Sequence, residues 1–174
     1  MKRALILPLI CVAAQATLVP ALSLEGLVDQ SEIIAHGRVI SSWAAWDSGH
    51  KYIWTHYRIE VLDPIRSNPG DSVVVSEPGG SLDGVTMRIS GAPDYAVGEE
   101  AIVFLYRTPI GYLRATGYGQ GKYTVTPHKR VHANLNGFEL LKRDSSRGVS
   151  LSTLDGLTVT EFKARVRHAI GSSR

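Results

Sequence analysis

The stretch PGGSLDGVTMRISGAPDYAVGEEAIVFLY, Pro78 to Tyr106, decides the fold. It holds two runs of strand character, Val85 to Ser90 and Glu100 to Tyr106, joined by a loop rich in Gly, Pro and Asp. In the first run Val85, Met87 and Ile89 alternate with Thr86, Arg88 and Ser90, the period of a strand with one apolar and one polar face. The second run is apolar on both faces from Ala101 to Leu105, as in a central strand covered on both sides. A short buried helix has the same pattern, but the β-branched content, the length and the preceding Gly98 favour a strand. The two runs are expected to form the organising hairpin.

Upstream, Glu32 to Ser42 reads as a strand with Ile33, Ala35, Gly37 and Val39 on one face and Ile34, His36, Arg38 and Ile40 on the other. Gly37 predicts close approach of another backbone or a bulky side chain. His36, among apolar neighbours, reads as a hydrogen-bonded histidine of the core or an edge. Ile53 to Leu62 alternates as well, so Trp54, His56 and Arg58 form a stripe on its polar face. Between these strands, WAAWDSGHKYIW (43–54) reads as a loop around the turn Asp47-Ser48-Gly49. Asn68-Pro69-Gly70 turns the chain into a strand from Asp71 to Glu77.

Downstream, Tyr112 to Thr116 and Lys122 to Thr126 are short strands around Gly117, Gly119 and Gly121, and Val131 to Leu135 and Phe138 to Leu141 flank the hairpin signal Asn136-Gly137. Thr158-Val159-Thr160-Glu161 has the spacing of a capping box, with Leu157 and Phe162 placed for the hydrophobic staple. Phe162, Val166, Ala169 and Ile170 then recur on one face, which predicts an amphipathic helix over about 157–170. Leu24 to Gln30 suggests one or two helical turns. Many short strands and one terminal helix predict a mainly β domain, an antiparallel barrel that is closed or partly open. Closure protects strands such as Ile102 to Leu105 from pairing edge to edge with other chains.

The order of a strand with Gly37, then Tyr57-Arg58-Ile59-Glu60-Val61-Leu62, Val73-Val74-Val75 with Pro78-Gly79-Gly80, Gly91-Ala92-Pro93, Val97-Gly98-Glu99-Glu100 with Val103-Phe104-Leu105, and Gly119-Gln120-Gly121-Lys122 resembles small exported bacterial domains of unknown function. Some of these stand alone and some sit near metalloprotease modules. The layout is also similar to barrels of the oligonucleotide/oligosaccharide-binding shape, the shape of the inhibitory domain of tissue inhibitors of metalloproteinases. The resemblance covers residues 30–126 and rests on turn and core positions, so it implies a fold rather than an activity. Those inhibitors present an N-terminal cysteine to zinc. Residues 24–174 contain no cysteine, so inhibition by that route is not implied.

Lys2 and Arg3, the apolar run Ala4 to Leu18 and the small residues of Ala21-Leu22-Ser23 read as a secretory signal over residues 1–23, cut after Ser23. Pro8, Gln15, Thr17 and Pro20 interrupt the run, which falls short of the roughly 20 apolar residues of a spanning helix. Ile10 before Cys11 is too bulky for a lipoprotein site. The expectation is a secreted or periplasmic protein with one domain, residues 24–174, and no membrane span after cleavage. Without cysteine, it depends on its hydrophobic core and has no thiol chemistry.

No H-E-x-x-H is present, Gly80-Ser81-Leu82-Asp83-Gly84 lacks the spacing of a nucleophile elbow, and Gly117 to Lys122 is followed by Tyr123 where a phosphate loop needs Ser or Thr. No cofactor and no nucleic-acid partner are expected. Trp43, Trp46 and Trp54 offer large apolar surfaces with polar edges, which either cap the open end of the barrel or anchor a partner. With His56 and Arg58 they form the expected binding face of a non-enzymatic exported domain whose partner is an unknown protein or glycan. Two alternatives stand beside it. His50, His56 and Asp47 carry ligand types suited to zinc and open the alternative of a metal-dependent hydrolase. From Lys122 onward ten Lys or Arg face four acids, among them the cluster His128-Lys129-Arg130-Val131-His132, which opens the alternative of polyanion binding.

Overall fold

The computed structural model describes residues 17–133, 138–141 and 148–172. In chain order the elements are β1 (Thr17–Pro20), α1 (Leu24–Asp29), β2 (Ile33–Trp46), β3 (Ile53–Arg66), β4 (Ser72–Pro78), β5 (Gly80–Leu82), β6 (Val85–Met87), β7 (Glu100–Arg107), β8 (Leu113–Ala115), β9 (Lys122–Val125), β10 (Val131–Ala133), β11 (Phe138–Leu141) and α2 (Val159–Ser172). Seven strands pair in the order β10-β9-β7-β2-β3-β4-β8, and β8 pairs back onto β7. Strands β7, β2, β3, β4 and β8 therefore form a ring. Its ladders are antiparallel except at the seam, where β4 and β8 meet in parallel through Val75 and Leu113. The sheet is thus mixed, which corrects the all-antiparallel expectation.

Glu77 completes this short seam. Its Oε1 accepts the Ala115 N–H at 2.7 Å, doing what a strand carbonyl would do in a longer ladder.

The doubly apolar run of β7 follows from two cores. Ala101, Val103 and Leu105 join Ile33, Ala35, Val39, Ile59, Val73 and Val75 inside the ring. Ile102 and Phe104 face outward onto Leu24, Leu27 and Val28 of α1 and Phe162, Val166 and Ala169 of α2. Residues Ala101 to Leu105 are all fully buried, each large side chain contributing roughly 1.5–3 kcal/mol. The expected helix is present and starts as its sequence specifies. The Thr158 N–H donates to the Glu161 carboxylate at 3.0 Å, and the Glu161 N–H returns to Thr158 Oγ1 at 3.3 Å. Gly37 also behaves as expected, since a β-carbon there would lie 2.4 Å from the Glu60 carbonyl oxygen.

Three expectations change. Strand β6 is three residues long and pairs with β5, not with β7. Both edges of β7 are already taken, by β2 on one side and by β8 and β9 on the other, so the organising hairpin has no edge to form on. Val85 and Ile89 are accordingly exposed. Trp43 to Trp46 are strand, the far end of β2 against β3, and the loop shrinks to a turn in which Asp47 Oδ1 accepts the Lys51 and Tyr52 N–H groups at 2.6 and 2.9 Å. Strand β11 pairs in parallel with β1, while β10 pairs with β9; Asn136-Gly137 lies outside the described residues. Residues 17–23 contribute β1 and the Ser23 cap of α1. No helix among the described residues is long and apolar enough to cross a membrane.

Candidate functional site

Alternation along β3 puts Tyr57 and Ile59 into the inner core and turns Trp54, His56 and Arg58 to the outside of the ring. Pairing across the strands then assembles the site. Trp43 of β2 lies opposite His56, and His56 lies opposite Ser76 of β4. The Trp43 and His56 rings stack with centroids 5.3 Å apart at 27°, and His56 Nδ1 is 2.7 Å from Ser76 Oγ. Tyr112, in the loop between β7 and β8, stands edge-on to both His56 at 5.5 Å and Trp54 at 4.9 Å.

Two guanidinium groups join the row. Arg58 lies 5.9 Å from the Trp43 ring, and Arg114 lies 5.8 Å from Trp54 and 5.6 Å from Tyr118. The result is a continuous line of side chains, Arg58, Trp43, His56, Tyr112, Trp54, Arg114 and Tyr118, crossing strands β2, β3 and β8. Trp43 is 41% exposed, Trp54, Tyr112 and Tyr118 are half-buried, and His56 is buried.

Burial holds the His56 pKa below its ordinary value, so the imidazole is neutral at neutral pH and bonds Ser76 as a neutral ring. Arg114 is anchored from behind. Its Nε donates to Glu77 Oε2 at 3.2 Å, and Glu77 is only 2% exposed. Burial pushes the Glu77 carboxyl up to about 7, outweighing the two donors that favour its charged form. A cleft of about 580 Å³ runs beside one half of the row, lined by His56, Ser76, Tyr112, Val74 and Asn68. A second of about 450 Å³ lies at the other end, lined by Arg114, Tyr118, Tyr106 and Leu22.

Four of the five residues singled out in the sequence, Trp43, Trp54, His56 and Arg58, therefore meet in one row. Trp46 does not. It lies opposite Ile53, stacks on His50 at 5.7 Å and donates its indole N–H to Asp83 Oδ2 at 2.9 Å, tying the β2–β3 turn to the β5–β6 hairpin. Tyr112, Arg114 and Tyr118 escaped sequence reading. Period-two spacing puts Tyr112 and Arg114 on one face, but only the β4–β8 seam brings that face to His56 and Trp54.

His50 and His56 are held by different tryptophans and Asp47 is engaged by its turn, so the three do not converge; among the described residues no group of three or more His, Cys, Asp or Glu is placed to hold a metal. The basic residues of the C-terminal part are largely paired where described. Lys122 meets Glu99, Lys129 meets Glu100, and Lys163 and Arg167 share Asp63, at 2.8 to 3.0 Å. Lys142, Arg143, Arg147 and Arg174 lie outside the described residues. No protein-family model matches the chain, and no curated protein matches it.

Proposed function

We propose that this is an exported, non-enzymatic binding domain that holds a protein or glycan partner along the row from Arg58 to Tyr118. The observation that carries the reading is the row itself: aromatic rings in stacked or edge-on contact, interleaved with two arginines and reaching the surface at Trp43. Aromatic and arginine side chains dominate binding hot spots, the aromatics because a rigid ring buries much area at little entropic cost and arginine because its planar fork makes several directed hydrogen bonds. The architecture supports the same reading. A five-stranded ring with a short parallel seam suits a partly open barrel of the oligonucleotide/oligosaccharide-binding shape, on which chain-like ligands cross the second and third strands and the adjoining loops. Counted from β2, those strands are β3, which carries Trp54, His56 and Arg58, and β4, which adds only Ser76 behind His56; Tyr112 lies in the loop between β7 and β8.

The test is capture from the exported fraction of the host with the native domain and with Trp43→Ala/Arg58→Ala, followed by affinity measurement on the purified captured molecule. Both replaced residues are exposed, so the variant is expected to keep the native melting temperature. Binding is expected to weaken about 30-fold or more, the size of a 2 kcal/mol hot spot. Equal affinity for both forms removes the row as the binding site.

A further inference from the structure

We propose that the leader ends at Ala16 and that the working protein begins at Thr17; this rests on the export that the binding function assumes. The segment between Thr17 and Ser23 is built into the domain. Strand β1 is hydrogen-bonded in parallel to β11, Val19 is 6% exposed, and Leu22 packs against the outer core. Gln120, only 1% exposed, is gripped by this segment at both ends of its amide. Its Oε1 accepts the Leu22 N–H at 2.9 Å, and its Nε2 donates to the Pro20 carbonyl at 3.0 Å as well as to that of Gly117 at 3.2 Å. The neighbouring chain makes room for it. A β-carbon on Gly117 would stand 2.7 Å from Leu22 Cδ1, at a residue whose φ of +64° favours glycine in any case.

Cleavage after Ser23 would undo these contacts. It would strip the cap of α1, where Ser23 Oγ accepts the Gly26 N–H at 3.1 Å and the Ser23 carbonyl accepts the Leu27 N–H at 2.9 Å. It would also place a new ammonium on Leu24, a residue 1% exposed whose nitrogen donates to the Val149 carbonyl at 2.9 Å. A buried unpaired charge is costly, and so is a buried amide left without its partners.

The sequence offers a cleavage point that spares the fold. Signal peptidase reads small residues at the first and third positions before the cut, and Ala14-Gln15-Ala16 supplies alanine at both. It directly follows the apolar stretch Ala4 to Ala13, itself preceded by Lys2 and Arg3, so charge, apolar run and cleavage site stand in their usual order and length. The step is hydrolysis of the Ala16–Thr17 peptide bond: water adds across it, leaving a carboxylate on Ala16 and an ammonium on Thr17.

The experiment expresses the full chain in an exporting bacterial host and determines the N-terminal sequence and intact mass of the exported form. The expected terminus is Thr17. A terminus at Leu24, or an uncut Met1, overturns the proposal. Ala16→Phe is expected to accumulate the uncut precursor, whereas Ser23→Phe is expected still to begin at Thr17. Because Ser23→Phe could also unfold the domain, Ala21→Phe provides a second block of the competing site. Loss of processing in either of these, with Ala16→Phe still cut, assigns the cut to Ser23 and overturns the proposal. The readout is a terminus rather than a partner, so it stands or falls separately from the binding reading.

Discussion

Trp43 and Glu77 are the two ends of the site's chemistry, one facing solvent and the other fully enclosed. Trp43 keeps 41% of its surface in water and shares its remaining contacts with His56 and Arg58. Its replacement by Ala is expected to change unfolding free energy by less than about 1 kcal/mol in a denaturant titration, near the range of surface substitutions. A larger loss would mean that the ring is a structural cap. Glu77 has the opposite character. In the folded chain its carboxyl holds a proton up to about 7, whereas the ordinary value is 4.5. Between those values the native state binds more protons than the unfolded one, so this residue makes stability fall as pH rises through that window. The linkage amounts to on the order of 3 kcal/mol. Glu77→Gln preserves an acceptor for the Ala115 N–H and cannot ionise. Melting temperatures from pH 5 to 8 should therefore decline in the native protein relative to the variant; parallel curves would show that Glu77 is charged throughout.

At the scale of elements, α2 is held to the sheet by its apolar stripe and by one polar relay. Lys163 Nζ donates to His36 Nδ1 at 2.8 Å, and His36 Nε2–H donates to Glu100 Oε1 at 2.8 Å, while Asp63 accepts from Lys163 and Arg167. The relay requires neutral His36, and burial, followed by the Lys163 charge, lowers its pKa below 6.5. Its contribution is complete above 6.5 and is lost as pH falls through the folded value, the reverse of the Glu77 trend. Lys163→Met removes the neighbouring cation, so NMR titration of His36 should report a higher pKa than in the native protein. An unchanged value would leave burial as the sole cause. This helix is also where sequence and structure agree best, because its cap and its stripe are local patterns that tertiary contacts reinforce. The same holds for β7. Strand β6 shows the limit of such reading: alternation of Val85, Met87 and Ile89 marks a chain able to pair but cannot say whether an edge is free. Trp43, His56 and Arg58 were legible as neighbours because they fall on two adjoining strands. Tyr112, Arg114 and Tyr118 were not, because a distant seam carries them there.

For the whole molecule, that seam is the weakest link in the ring. Strands β2 and β3 are paired along nearly their full length, whereas β4 and β8 share a single register pair, Val75 with Leu113. The carboxyl group of Glu77 supplements it by holding Ala115 and Arg114 of β8 from β4. Removing Glu77 leaves the Ala115 N–H and the Arg114 guanidinium without this buried acceptor, and an unsatisfied buried donor typically costs about 1–3 kcal/mol, more for a charged group. Because the charged partner here, Arg114, also packs on Trp54 and Tyr118, the same change should reach the row of aromatic and arginine side chains. Glu77→Ala is therefore expected to act unevenly across the protein. In native-state hydrogen exchange the amides of β8 and the facing part of β4 should lose protection by several kcal/mol, while β2, β3 and the centre of β7 keep the slowest exchange. Uniform loss across all five strands would mean that the ring opens only with global unfolding and that the seam has no independent motion. Local loss would identify β8, with Arg114 on it, as a segment able to open independently of the rest of the ring.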